Sequence, residues 1–119
     1  MWYHRSMADM QVIQRWKKEA LSLARSLGSA LRANGVPVRS LFLFGSQAKG
    51  TQHERSDIDV AVVCEPFGKD RVDEAGRLFV ISADIDDRLE PVCLHPEDLD
   101  RKYSTLVQEI RRHGIEVKG

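Results

Sequence analysis

The sequence predicts an α/β protein of the two-layer α+β kind, with a small mixed three-stranded sheet packed on helices. Three observations carry that prediction. Apolar residues recur at spacings of three and four over residues 10–33, 69–82 and 96–113, which is the period of an amphipathic helix. Short apolar, β-branched runs at 38–44, 57–64 and 88–94 lie between them, bounded by Gly and Pro. The two kinds of segment alternate along 119 residues, the length of one domain. The first nine residues show no period and read as a loose tail, with Met7 or Met10 as alternative starts. Residues 10–119 then form a single domain.

The first helix, 10–33, would bury Ile13, Trp16, Ala20, Leu23, Ala24, Leu27 and Leu31. Asn34-Gly35 stops it, with Pro37 close behind. "LFLF" within 38–44 is apolar on both faces, so this strand should be central and covered. A single helical turn follows Gly45-Ser46. The second strand, "DIDVAVVC", ends before Pro66 and Gly68. In the helix over 69–82, Val72, Ala75, Leu78 and Phe79 fall on one side. The third strand carries Pro91, which cannot donate to a ladder, and so belongs at an edge or a bulge. The last helix, 96–113, would bury Leu99, Tyr103, Leu106, Val107 and Ile110, and Gly114 closes it.

Charge narrows the function. The 18 basic residues balance the 18 acidic ones, so no broad basic field exists to bind long nucleic acid. No apolar run has the length of a membrane span or a signal-peptide core, which places the chain in the cytoplasm, away from membranes. Cys64 and Cys93 each end an apolar stretch outside any C-x-x-C motif and read as reduced, buried thiols.

Chemistry concentrates in "LFGSQAKGTQHERSDIDVAVV". Asp57 and Asp59 alternate with Ile58 and Val60, so the two carboxylates share one face of a strand, about 7 Å apart. Two such charges are costly without a cation, and a hard ion such as Mg²⁺ suits their oxygens. By itself D-x-D is a weak signal and is better explained by a solvated strand start. Gly45-Ser46 ends the preceding strand where a helical turn begins. There the backbone N–H groups, the Ser46 hydroxyl and the absent Gly45 side chain would admit a phosphate. If the first two strands are antiparallel, this turn lies beside the aspartates, as phosphoryl or nucleotidyl transfer requires. A right-handed crossover makes the third strand parallel to the second and brings Glu90 to the same end as a third acid. Asp84, Asp86 and Asp87 are its rivals.

Gly45, Ser46, Asp57 and Asp59 form G-S-x10-D-x-D, and the chain thereby resembles the DNA polymerase β-like nucleotidyltransferase superfamily. "RLEPVCLHPEDL" resembles the third-acid strand of its small members. The acceptor-binding domains of larger relatives are missing, so the chain is most similar to the minimal nucleotidyltransferases (MNT). These include antitoxins paired with HEPN-domain ribonuclease toxins. The resemblance implies the nucleotidyltransferase fold, ATP as substrate, two Mg²⁺ ions, and transfer of AMP to a tyrosine of a partner toxin in a heteromeric complex. It assigns Asp57, Asp59 and Glu90 as catalytic metal ligands, and Gly45 and Ser46 as ligands of the β- and γ-phosphates. Lys49 stands where the family often has Arg, keeping the charge but losing the bidentate fork. Two other readings stay open. The chain could mask a toxin by binding alone, or transfer to a small molecule or an RNA end. His53, His95 and His113 read as surface residues and Trp16 as core, and nothing places Arg39 or Arg55 at a triphosphate.

Overall fold

The computed structural model describes residues 6–52 and 56–118. Its elements are α1 (Met7–Ala33), β1 (Val38–Phe44), the single turn α2 (Ser46–Lys49), β2 (Ile58–Cys64), α3 (Arg71–Ile85), β3 (Leu89–Leu94), a 3-10 helix (Pro96–Asp100), α4 (Thr105–His113) and β4 (Ile115–Glu116). The sheet order is β3-β2-β1-β4. As expected, β1 and β2 are antiparallel, β2 and β3 are parallel, and the Pro91-bearing strand lies at an edge. The sheet has four strands rather than three. The added strand, β4, pairs antiparallel with β1 through Phe42–Glu116 and Leu43–Ile115. Two residues are too few to show alternation, so the sequence pattern carries no trace of it.

β1 and β2 are the interior strands, and helices cover both their faces. Leu41, Leu43, Ile58, Val60 and Val62 pack against Leu27 and Leu31 of α1 and Leu78 of α3. Phe44, Ala61, Val63 and Leu94 pack on the other face against Ile110 of α4, with Leu99 and Leu106 beside them. Strand alternation therefore turns Asp59, which is two residues from Ala61, toward the α4 side. Among the described residues no helix is long and apolar enough to cross a membrane.

Four expectations need correction. α1 begins at Met7, inside the expected tail, because Ser6 and Asp9 form a capping box: each accepts from the other's backbone N–H, at 3.1 and 3.3 Å. Residues 1–5 of that tail lie outside the described residues. The inward line of α3 is Glu74, Leu78 and Ser82, while Val72 and Phe79 are 82% and 65% exposed. Two of those three buried side chains are polar, so the apolar pattern pointed to a neighbouring face. The expected helix over 96–113 is broken in two. A 3-10 turn ends at Asp100, Ser104 then caps α4 by accepting from the Val107 N–H, and Tyr103 in the break is 95% exposed. Finally, His95 is buried, not at the surface.

An ion pair holds the 3-10 helix to α3. The Asp98 carboxylate, 3% exposed, accepts from both terminal nitrogens of Arg71 at 2.6 and 3.1 Å and from the His95 N–H at 2.8 Å. The Arg71 bonds chiefly hold the Asp98 carboxyl below its ordinary value of 3.8. A depressed folded pKa stabilises the fold above the unfolded value, and that stabilisation is lost as the pH falls through the folded one. Asp98→Asn should therefore lower the melting temperature at pH 7 and flatten its decline below about pH 4, as calorimetry across pH would show. Truncating Leu43, which is fully buried between two packed layers, to Ala is expected to cost about 2–5 kcal/mol in chemical denaturation.

Candidate nucleotide-transfer site

The β1–β2 register pairs Phe44 with Asp59, so Gly45 follows directly beside the Asp59 side chain. Gly45 has φ 72° and ψ −150°, a region almost confined to glycine. A Cβ there would also collide with the Asp59 carboxylate. Ser46 opens α2, and Gly50, at φ 77°, ends it in the left-handed region. Gln47, between them, is buried, and its side-chain oxygen has no hydrogen-bond partner among the described residues. Gln52 ties the following loop to α1 by donating to the Ile13 carbonyl at 3.3 Å.

The acids gather from three elements. Asp57 is exposed just before β2, Asp59 is partly buried within it, and Glu90 is exposed on β3. The parallel β2–β3 register pairs Glu90 with Asp59. Burial pushes the Asp59 carboxyl up from its ordinary value, and the charges of Asp57, Glu90 and Glu109 push it further. Glu109 was not among the expected acids. It lies on α4, and it matters only because α4 packs on the face that carries Asp59. Nothing local in the sequence reveals that packing. The Lys49 ammonium sits 2.9 Å from the Glu109 carboxylate.

Two of the rivals of Glu90, Asp86 and Asp87, lie near Asp57. Asp86 accepts from the backbone and guanidinium of Arg88 at 2.9–3.1 Å, which holds its carboxyl below the usual range. Arg88 also donates to Glu19 of α1 at 2.8 Å. Asp84 and Asp87 are exposed. A cleft of about 510 Å³ lined by Asp57, Asp86, Asp87 and Arg88 opens beside the acids. Of the residues left unassigned, Arg39 pairs with Glu65 at 3.3 Å and His113 is exposed. Trp16 is half-buried, and His53 and Arg55 lie outside the described residues.

This donor set suits a hard divalent cation. It offers carboxylate oxygens alone, and an excess of negative charge that already raises one pKa. Among the described residues, the three ligating side chains whose atoms all lie within 4.8 Å of one another are Glu74, Cys93 and His95, at the far end of β2 and β3, and not the acids. The acid end is the one that adjoins the Gly45-Ser46 turn.

Comparison with known proteins bears on the family and the fold. A crystal structure of a toxin–antitoxin complex with AMP-PNP is similar at 28% identity and a TM-score of 0.58, covering 81% of this chain and 73% of that one. The MntA–HpeT toxin–antitoxin structure with two aspartates changed to glutamate is similar at 26% identity and a TM-score of 0.57, with the same coverage. A protein from Sulfolobus solfataricus classed as a nucleotidyltransferase shares the fold, with 18% identity and a TM-score of 0.58 over 97% of this chain and 90% of that one. Among curated proteins none matches the chain significantly. The family model "Polymerase beta, Nucleotidyltransferase" matches residues 27–118, and the chain thus belongs to the polymerase beta nucleotidyltransferase family.

Proposed function

We propose that this chain transfers AMP from ATP to a hydroxyl of a partner protein, as the antitoxin of a pair whose toxin is of the HEPN type. One observation carries the reading: the Gly45-Ser46 turn adjoins Asp59, with Asp57 and Glu90 at the same end of the sheet. The similarity to toxin–antitoxin structures, one of them with AMP-PNP, supports the nucleotide and the partner.

In this reading the Ser46 hydroxyl and the N–H groups at the start of α2 bind the β- and γ-phosphates, and Gly45 keeps the approach open. Lys49 leaves Glu109 to meet a phosphate oxygen. Asp57 and Asp59 would hold two Mg²⁺ ions, and Glu90 would complete the ligand set nearest the acceptor. When bound, Mg²⁺ neutralises phosphate oxygens and makes a coordinated hydroxyl more acidic. The acceptor oxygen attacks the α-phosphorus in line. Its bond to phosphorus forms as the bond to the β-phosphate oxygen breaks, pyrophosphate leaves, and the hydroxyl proton passes to Glu90 or to water. The protein's task is to position these groups and balance their charge.

A second reading, masking of the toxin by contact alone, draws on the exposed Val72, Phe79 and Val80 of α3. Asp57→Asn combined with Asp59→Asn separates the two. Transfer of labelled AMP to the co-purified partner should fall at least about a thousandfold while the complex persists. Equal labelling by this variant sinks the catalytic proposal, and full rescue of toxin-expressing cells by it favours masking.

The crowded acids make a separate prediction. The folded pKa of Asp59 is raised, so folding disfavours its ionised form, and this cost is present in full above the raised value and absent well below it. Asp59→Asn should therefore raise the melting temperature of the metal-free protein by a few degrees at pH 7. Added Mg²⁺ should stabilise the native chain and leave the variant nearly unchanged, as thermal melts with and without Mg²⁺ would reveal.

A further inference from the structure

About 10–17 Å along β3 from Glu90, by the rise of a strand, lies a second group of ligating side chains. Cys93 and His95 are two residues apart at the end of β3, so they share a face, and Glu74 of α3 meets them there. One ligating atom from each lies within 4.8 Å of the other two. Glu74 is 2% and His95 8% exposed. One Glu74 oxygen accepts from the N–H groups of Phe67 and Gly68 at 2.7 and 3.3 Å, and the other faces His95 Nε2 at 2.8 Å. The Cys64 sulfur stands 3.7 Å from that of Cys93. Two thiolates on one tetrahedral zinc, each about 2.3 Å from the metal, are separated by roughly 3.8 Å.

We propose that Glu74, Cys93 and His95 form a site for a thiolate-binding transition-metal ion of the zinc class, with Cys64 beside the fourth position. The donor types argue for this class: a thiolate and an imidazole select zinc-like ions over Mg²⁺, which prefers the all-oxygen acids at the other end. Binding releases the Cys93 thiol proton to solvent and takes the neutral His95 ring with its proton on Nδ1, so that the contact between Nε2 and Glu74 Oε1 gives way to metal bonds. The second Glu74 oxygen stays on its backbone donors and orients the carboxylate. The ion would join the start of α3, the end of β3 and the following 3-10 helix, and takes no part in transfer.

The test uses the full chain, reduced and stripped of metal, titrated with Co²⁺ and then Zn²⁺. One equivalent of Co²⁺ should give a thiolate-to-cobalt charge-transfer band with tetrahedral d–d absorption, and Zn²⁺ should displace it. Cys93→Ser should lose the charge-transfer band, and Glu74→Gln, which can keep the backbone bonds, should weaken Co²⁺ binding at least about tenfold. The Asp57→Asn, Asp59→Asn variant should retain the band. Absence of a thiolate band in the native chain, its persistence in Cys93→Ser, or its loss in the double Asp variant overturns the proposal. Should Cys93→Ser fail to fold, the native chain still decides: Zn²⁺ must slow reaction of Cys93 with an aromatic disulfide reagent, and an unchanged rate refutes the site.

Discussion

The antiparallel pairing of β1 with β2, in the register that sets Phe44 opposite Asp59, is the constraint on which the rest depends. It converts a gap of fourteen positions between Gly45 and Asp59 into contact. A slip of one residue would turn Asp59 into the α1–α3 core and bring an apolar neighbour beside the glycine turn. Burial protects the register. Leu43 and Val60 oppose each other on the α1–α3 face and are both fully buried, while Phe44, Ala61 and Val63 fill the α4 face. Because both faces of this strand pair are covered, apolar packing holds the acids in a place where they repel one another.

That repulsion is the recurring cost of the acid end. Asp57, Glu90 and Glu109 all raise the Asp59 carboxyl, and Lys49 is the cation that answers Glu109. Arg88, in the cleft with Asp57, is held by Asp86 and Glu19. The far end of β2 and β3 is handled differently. Burial pushes the Glu74 carboxyl up, but backbone donors and His95 outweigh it, and Arg71 matches Asp98. Among the described residues, one end of the sheet gathers acids that raise the Asp59 carboxyl, whereas the other satisfies Glu74 and Asp98 with nearby donors.

Much of this was legible in the residues. The strand runs, the antiparallel and parallel pairings, the edge position of Pro91 and the meeting of Gly45 with Asp59 all follow from apolar patterning and crossover geometry. What escaped was set by tertiary packing or by short polar signals. The buried line of α3 runs through Glu74 and Ser82, whose polarity disguised it. The Ser6–Asp9 box started α1 where no apolar period existed, and Ser104 restarted a helix that periodicity ran straight through. His95 is buried because Glu74 meets it across elements, and Glu109 joins the acids only through the packing of α4. Neither relation is written in local spacing.

Gly45 is constrained twice, by a backbone angle and by the carboxylate that fills the space where a side chain would stand. The two constraints differ in what could relieve them. A smaller residue at 59 would open room for a Cβ but leave the backbone strain, and would remove the carboxylate for which the room was kept. No second-site change at 59 can therefore restore what a substitution at 45 takes away. The glycine and the aspartate behave as one heritable unit, each position meaningful only while the other is kept.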